Sequence, residues 1–174
     1  MRFAMSVVTA FASSLIAVPS LRLDRPVTRS VMEQFFGTWK LASWKIKQAN
    51  GDLSDSPLGP NALGWIMYDP AGRVSVALMR PDRPNFASNL LTEATPEEIK
   101  NGFEGYISYC GYYEVNEQER SVIHRLQLSW FPNWVGTEQK RYFEFEGDHL
   151  TLRTPPLMML GEAQVHSLIW QRLN

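Results

Sequence analysis

From Phe36 to the C-terminus, apolar and polar side chains alternate with a period of two. That spacing turns one face of an extended strand to a core and the other to water. It predicts strands over Gly37 to Ile46, Gly64 to Tyr68, Val74 to Met79, Gly111 to Asn116, Ser121 to Ser129, Gln139 to Glu146, His149 to Thr154 and Gln164 to Leu173. Turn chemistry separates them. Asn50-Gly51-Asp52 reverses the chain, Asp69-Pro70-Ala71-Gly72 and Gly147-Asp148 suit tight hairpins, and Arg80-Pro81-Asp82-Arg83-Pro84 breaks a ladder. One helix is predicted, from Pro96 to Glu104 and on toward Tyr109. Thr95 stands at its N-cap, proline at its first position and Glu97 and Glu98 in its first turn. No strand–helix alternation supports a parallel sheet. Eight sequential strands with one inserted helix predict an all-β fold, an eight-stranded antiparallel up-and-down barrel. A two-sheet sandwich is the alternative arrangement.

The first thirty residues break this pattern. Phe3 to Val18 is apolar with interspersed Ser and Thr and holds no charge; Arg2 precedes it. A basic start followed by such a run fits a secretory signal, and the segment is short and polar for a membrane anchor. Arg22, Arg25 and Arg29 also fit a transit peptide, and an upstream start before Met32 accounts for the same residues. The expected organisation is a leader over 1–31 and a barrel over 32–174. The protein is then secreted or periplasmic with a functioning signal, and cytoplasmic if Met32 is the true start.

Composition narrows the function. Apolar residues make up 44% of the 174 residues and aromatics 12%, enough for a real core. Net charge is -1, and the leader's four arginines against Asp24 leave the body acidic. Nucleic acid is not expected as a partner, nor an anionic membrane surface. Cys110 is the single cysteine, which excludes an internal disulfide and Cys-rich metal sites. Phosphate-binding loops, nucleophile elbows and zinc-ligand motifs are absent. His124, His149 and His166 are the only histidines, and no metal or cofactor is expected. Cys110 lies opposite Tyr109 and Gly111 in parity, which makes it a poor nucleophile candidate, and His149 lies opposite Leu150 and Leu152.

Phe36-Gly37-Thr38-Trp39 resembles the G-x-W signature that opens the first lipocalin strand. The longer series is similar to the microbial lipocalin-like domain family. It runs through Gly64 to Arg73, Met79 to Pro84, Tyr109 to Val115 and Phe131 to Thr137, and spans nearly all of Phe36 to Arg172. The resemblance implies structural roles for Gly37, Trp39 and Arg172, with the arginine packed over the tryptophan at the barrel base. It implies a container and carries no single activity.

Parity sorts the contents. Val122, His124, Leu126 and Leu128 share the inward face of one strand, Arg141, Phe143 and Phe145 that of the next, and Tyr109, Gly111, Tyr113 and Val115 that of a third. A buried guanidinium needs a partner, and no acid shares the face of Arg141. His124 and Arg141 are the candidates for proton exchange and for holding an oxygen. Tyr68, Tyr109, Tyr113, His124, Trp134 and Arg141 are the expected ligand-binding residues. Trp130 to Gly136 makes a lid or a plug, Arg80, Asp82 and Arg83 an ion-paired turn or a polar entrance, and Met67, Met79, Met158 and Met159 soft fillers. The function expected first is binding of a small hydrophobic or amphipathic molecule inside the barrel. A cofactor-independent isomerase or cyclase on the same scaffold is the second reading, and a structural module with a filled core the third. The oligomeric state is left open.

Overall fold

The computed structural model of the chain describes residues 29–159 and 161–173. A one-and-a-half-turn helix, α1 (Val31–Phe35), comes first. Ser30 and Glu33 form a reciprocal capping box at its start, with Ser30 Oγ accepting from the Glu33 N–H and the Glu33 carboxylate from the Ser30 N–H. The strands follow as β1 (Gly37–Lys47), β2 (Leu53–Asp55), β3 (Leu63–Tyr68) and β4 (Arg73–Met79). Helix α2 (Pro96–Glu104) starts on Thr95 with its own capping box. Then come β5 (Tyr106–Asn116), β6 (Ser121–Ser129), β7 (Glu138–Glu146), β8 (His149–Arg153), β9 (Leu157–Met159) and β10 (Glu162–Arg172).

Eight of these strands close an antiparallel barrel. β1, β3, β4, β5, β6, β7, β8 and β10 pair in that order, and β10 returns to β1 from Trp39↔Arg172 to Lys47↔Val165. Closure removes the sheet edges that a sandwich would leave. The short strands β2 and β9, not predicted from the pattern, hang on β1 and β10. They are three residues each, too short to show a period. α2 ends at Gly105 rather than continuing toward Tyr109, and β5 begins at Tyr106, five residues before the predicted start. The leader expected over 1–31 lies outside the described residues except for its last three, of which Ser30 and Val31 belong to α1 and its cap. Among the described residues no helix is long and apolar enough to cross a membrane.

Two bulges set the inward faces. In β1 the pairing with β10 shifts between Leu41 and Ser43, so Trp39 and Leu41 face inward from odd positions, Trp44 and Ile46 from even ones. In β6 the pairing with β5 shifts where Cys110 opposes Leu128 and Gly111 opposes Leu126, which leaves Gln127 as the extra residue. Parity flips there. Leu128, expected inside, is 67% exposed.

One half of the barrel is filled with aromatic rings. α1 plugs that end, and Phe35 is fully buried, its ring 5.1 Å from Tyr68, 5.1 Å from Phe143 and 4.9 Å from Phe145. Burying one such ring is worth roughly 1.5–3 kcal/mol. Trp39 donates its indole N–H to the Phe35 carbonyl at 2.8 Å. Arg172 lies with its guanidinium carbon 3.9 Å from the Trp39 ring centre and donates to the carbonyls of Phe36 and Gln34. Strand, plug helix and barrel closure are thus tied at one point. Gly37 has φ of +113°, a conformation that suits glycine as the chain leaves α1 for β1.

Candidate functional site

The other half of the barrel is hollow. It encloses a cavity of about 250 Å³ whose walls are mostly apolar, with Ile66, Val76, Leu78, Leu152 and Leu168 among them. Trp44, Trp130, Trp134 and Trp170 bring four indoles to it, and Tyr109, Gln139, Arg141, Thr154 and His166 bring polar atoms. No Asp, Glu or Lys lines it among the described residues. A larger depression runs over the outer sheet surface past Arg73 and Leu128, but it opens broadly to solvent. The interior cavity is the one with an apolar wall and a few aimed polar groups.

The far end is closed by the segment after β6. Trp130 stacks on Phe103 of α2 at 4.3 Å and donates its indole N–H to the Phe103 carbonyl at 3.0 Å. Trp134 sits on a short 3-10 turn, edge-on to Tyr109 at 6.3 Å. Both tryptophans are half-buried and form part of the cavity wall. Trp130 to Gly136 is therefore a lid whose inner surface is the wall itself, tethered to α2.

Arg141 projects from β7 into this space. Its guanidinium donates to the Lys140 carbonyl at 2.7 Å and reaches Gln139 Oε1 at 3.4 Å. No carboxylate pairs with it among the described residues. The cavity therefore carries a positive charge without a counter-charge on its wall.

His124 stands behind Tyr109, fully buried. Nε2 meets the Tyr68 hydroxyl at 2.8 Å and Nδ1 the Tyr109 hydroxyl at 3.0 Å. Burial, and then the nearby Arg141, push its pKa down to about 3, so the ring is neutral. The proton order follows. Tyr68 is buried, and His124 is its hydroxyl's one partner among the described residues. If Tyr68 accepted from Nε2–H, its own proton would be stranded, at a cost of roughly 1–3 kcal/mol. Tyr68 therefore donates to Nε2, Nδ1–H donates to Tyr109, and the Tyr109 hydroxyl keeps its proton for the cavity.

His166 obeys the same logic on β10. Trp44 Nε1–H, which only donates, lies 3.2 Å from His166 Nδ1. Burial and then Arg141 lower the His166 pKa, and the neutral ring holds its proton on Nε2. That Nε2 is buried and has no partner among the described residues, and the same holds for Trp170 Nε1. Both residues line the cavity. His166 was not singled out by the pattern, although it shares parity with the inward Leu168 and Trp170.

The expected residues thus divide. Tyr109, Trp134 and Arg141 line the cavity. His124 and Tyr68 sit one layer behind, and both nitrogens of His124 are taken, so it positions Tyr109 and offers no free nitrogen to a bound molecule. Tyr113 belongs to the packed half, its hydroxyl donating to the Asp69 carbonyl at 3.0 Å, and burial raises its pKa to about 12. Met67 and Met158 are exposed and fill nothing. Arg80 pairs with Asp82, and Arg83 donates to the Gly102 carbonyl of α2, so that turn is structural. His149 is exposed, and the described residues hold no cluster of three metal-ligating side chains.

Two comparisons join this geometry. A family model described as a lipocalin-like domain matches residues 36–173. A 4'-hydroxy-3'-methoxypropiophenone carrier protein of Aspergillus oryzae is 34% identical over 107 residues, covering 58% of this chain and 96% of the relative. A barrel of this kind and a relative named as a carrier support ligand binding in general. The chain belongs to the lipocalin-like domain family.

Proposed function

We propose that the protein holds a small, largely apolar molecule bearing oxygen in the hollow half of its barrel. Arg141, with Tyr109, His166 and Trp170 around it, orients the oxygen. The observation that carries this reading is the pairing of an apolar enclosure with buried nitrogens that find no partner among the described residues. Buried polar groups are ordinarily satisfied, and a native orphan calls for an explanation. Size sets the scale: a cavity of roughly 150 Å³ takes a benzene, so about 250 Å³ suits one substituted ring. The relative's name supports the same class, since it describes a carrier of a one-ring aryl ketone.

Four tryptophans on the wall supply the assay. Titration with a small aryl ketone is expected to change tryptophan fluorescence saturably. Arg141→Met is expected to weaken binding by about tenfold, the order of one charge-assisted hydrogen bond, with the melting temperature nearly unchanged. Equal affinity in wild type and Arg141→Met, or no saturable signal, would remove the interior site.

A further inference from the structure

We propose that the cavity takes its ligand as an anion: a weak oxygen acid, such as a phenol, enol or carboxylic acid, bound with its proton released to solvent. This rests on the ligand-holding reading above and adds the charge state.

The argument is a count of donors. Arg141 offers guanidinium N–H groups, Tyr109 an O–H whose direction is set by His124, His166 its Nε2–H and Trp170 its Nε1–H. The three wall side-chain oxygens able to accept each hold at least one bond already, Gln139 Oε1 from Arg141, Thr154 Oγ1 from the His166 backbone N–H and the Tyr109 hydroxyl from His124 Nδ1–H. A neutral hydroxyl entering this wall adds one more donor where donors already outnumber free acceptor positions. Loss of its proton turns it into an acceptor for the donors present and supplies the counter-charge that Arg141 lacks. The enclosure keeps water from screening the pair. An ammonium ligand meets the opposite situation, with like charge beside Arg141 and few acceptor positions for its N–H groups.

The titratable and charged groups facing the cavity are few. They are Arg141 from β7, Tyr109 from β5 and His166 from β10, with His124 of β6 behind Tyr109. The walls given by β1, β3, β4 and β8 contribute Trp44, Ile66, Val76, Leu78 and Leu152, none of which titrates.

The probes are 4-hydroxyacetophenone and its methyl ether, 4-methoxyacetophenone, added to the full chain at a pH about one unit below the free phenol's pKa. A phenolate absorbs at longer wavelength than its phenol, so the bound charge state is read directly. The expected result is a phenolate band in the complex, an apparent pKa lowered by at least about one unit, and binding about tenfold tighter than the ether. In Arg141→Met the ether is expected to lose the same roughly tenfold as any neutral aryl ketone and still bind saturably, which shows an intact cavity, while the phenolate band disappears. A bound phenol with a neutral spectrum, an ether that binds as tightly as the phenol, or a phenolate band surviving in Arg141→Met would overturn the proposal. If the ether binds and the bound phenol is neutral, the carrier reading stands and the anion proposal falls. If neither probe binds, both fall.

Discussion

His124 makes the fold sensitive to acid through a proton it refuses. Its folded pKa of about 3 lies below the ordinary 6.5, so the unfolded chain takes up a proton below pH 6.5 that the native state rejects. The stabilisation is complete above pH 6.5 and is lost as the pH falls toward 3, at up to about 1.4 kcal/mol per unit. His166 is shifted in the same direction and adds to the slope. The carboxylates with lowered pKa, Glu33, Glu98, Glu114 and Glu119, act only below their ordinary value of 4.5. The window from pH 6.5 to 5 therefore belongs to the histidines. His124→Gln keeps an acceptor for Tyr68 and a donor for Tyr109 without a titrating proton. Its unfolding free energy, measured in urea across that window, is expected to fall less steeply than that of wild type, the remaining slope coming from His166. An unchanged slope would show that the buried ring does not titrate differently in the two states.

At the level of elements, strand parity is reliable only between bulges. It placed Tyr109, Arg141 and His124 on inward faces because β5, β7 and the first part of β6 are regular. It placed Leu128 inside because Gln127 carries no mark of being an extra residue. Gly111 is the trace that bulge leaves in the sequence: a Cβ built there would lie 1.9 Å from the Arg125 carbonyl oxygen and 3.0 Å from the Gln127 nitrogen. Both are backbone atoms, so no rotamer change relieves the contact. Gly111→Ala is expected to cost at least about 3 kcal/mol, at or beyond the upper end of ordinary overpacking, and a denaturation midpoint near that of wild type would mean that the bulge can slide. Other elements were legible for local reasons. Thr95-Pro96-Glu97-Glu98 states its helix start outright, and α2 begins there. Ser30 to Glu33 carries the same kind of signal for α1, but five residues give no period to reinforce it. The role of His166 was readable from its step-of-two relation to Leu168 and Trp170; what the sequence withholds is the Trp44 indole that fixes its tautomer from another strand.

At the scale of the whole molecule, the barrel combines a packed half with a hollow one, so a container and a filled core are both present in one chain. α1 and its aromatic neighbours give the packed half its rigidity, and the donors that line the hollow half stand on strands anchored there. Two substitutions of the same kind separate the halves. Val76 and Val122 are both buried valines on neighbouring parts of the sheet, but only Val76 lines the cavity. Val76→Phe has space to grow into, so its stability is expected within about 1 kcal/mol of wild type, while binding of an aryl ketone weakens more than about tenfold. Val122→Phe has no such space among Tyr113, Phe143 and the rest of the packed core. It is expected to lose about 1–3 kcal/mol. Chemical denaturation and ligand titration of the two variants check this together. If both lose stability alike, the half described as hollow is filled as densely as the packed one and the barrel has no room for a guest. If Val76→Phe is stable and still binds fully, the guest lies elsewhere, and the outer depression past Arg73 and Leu128 becomes the place to look.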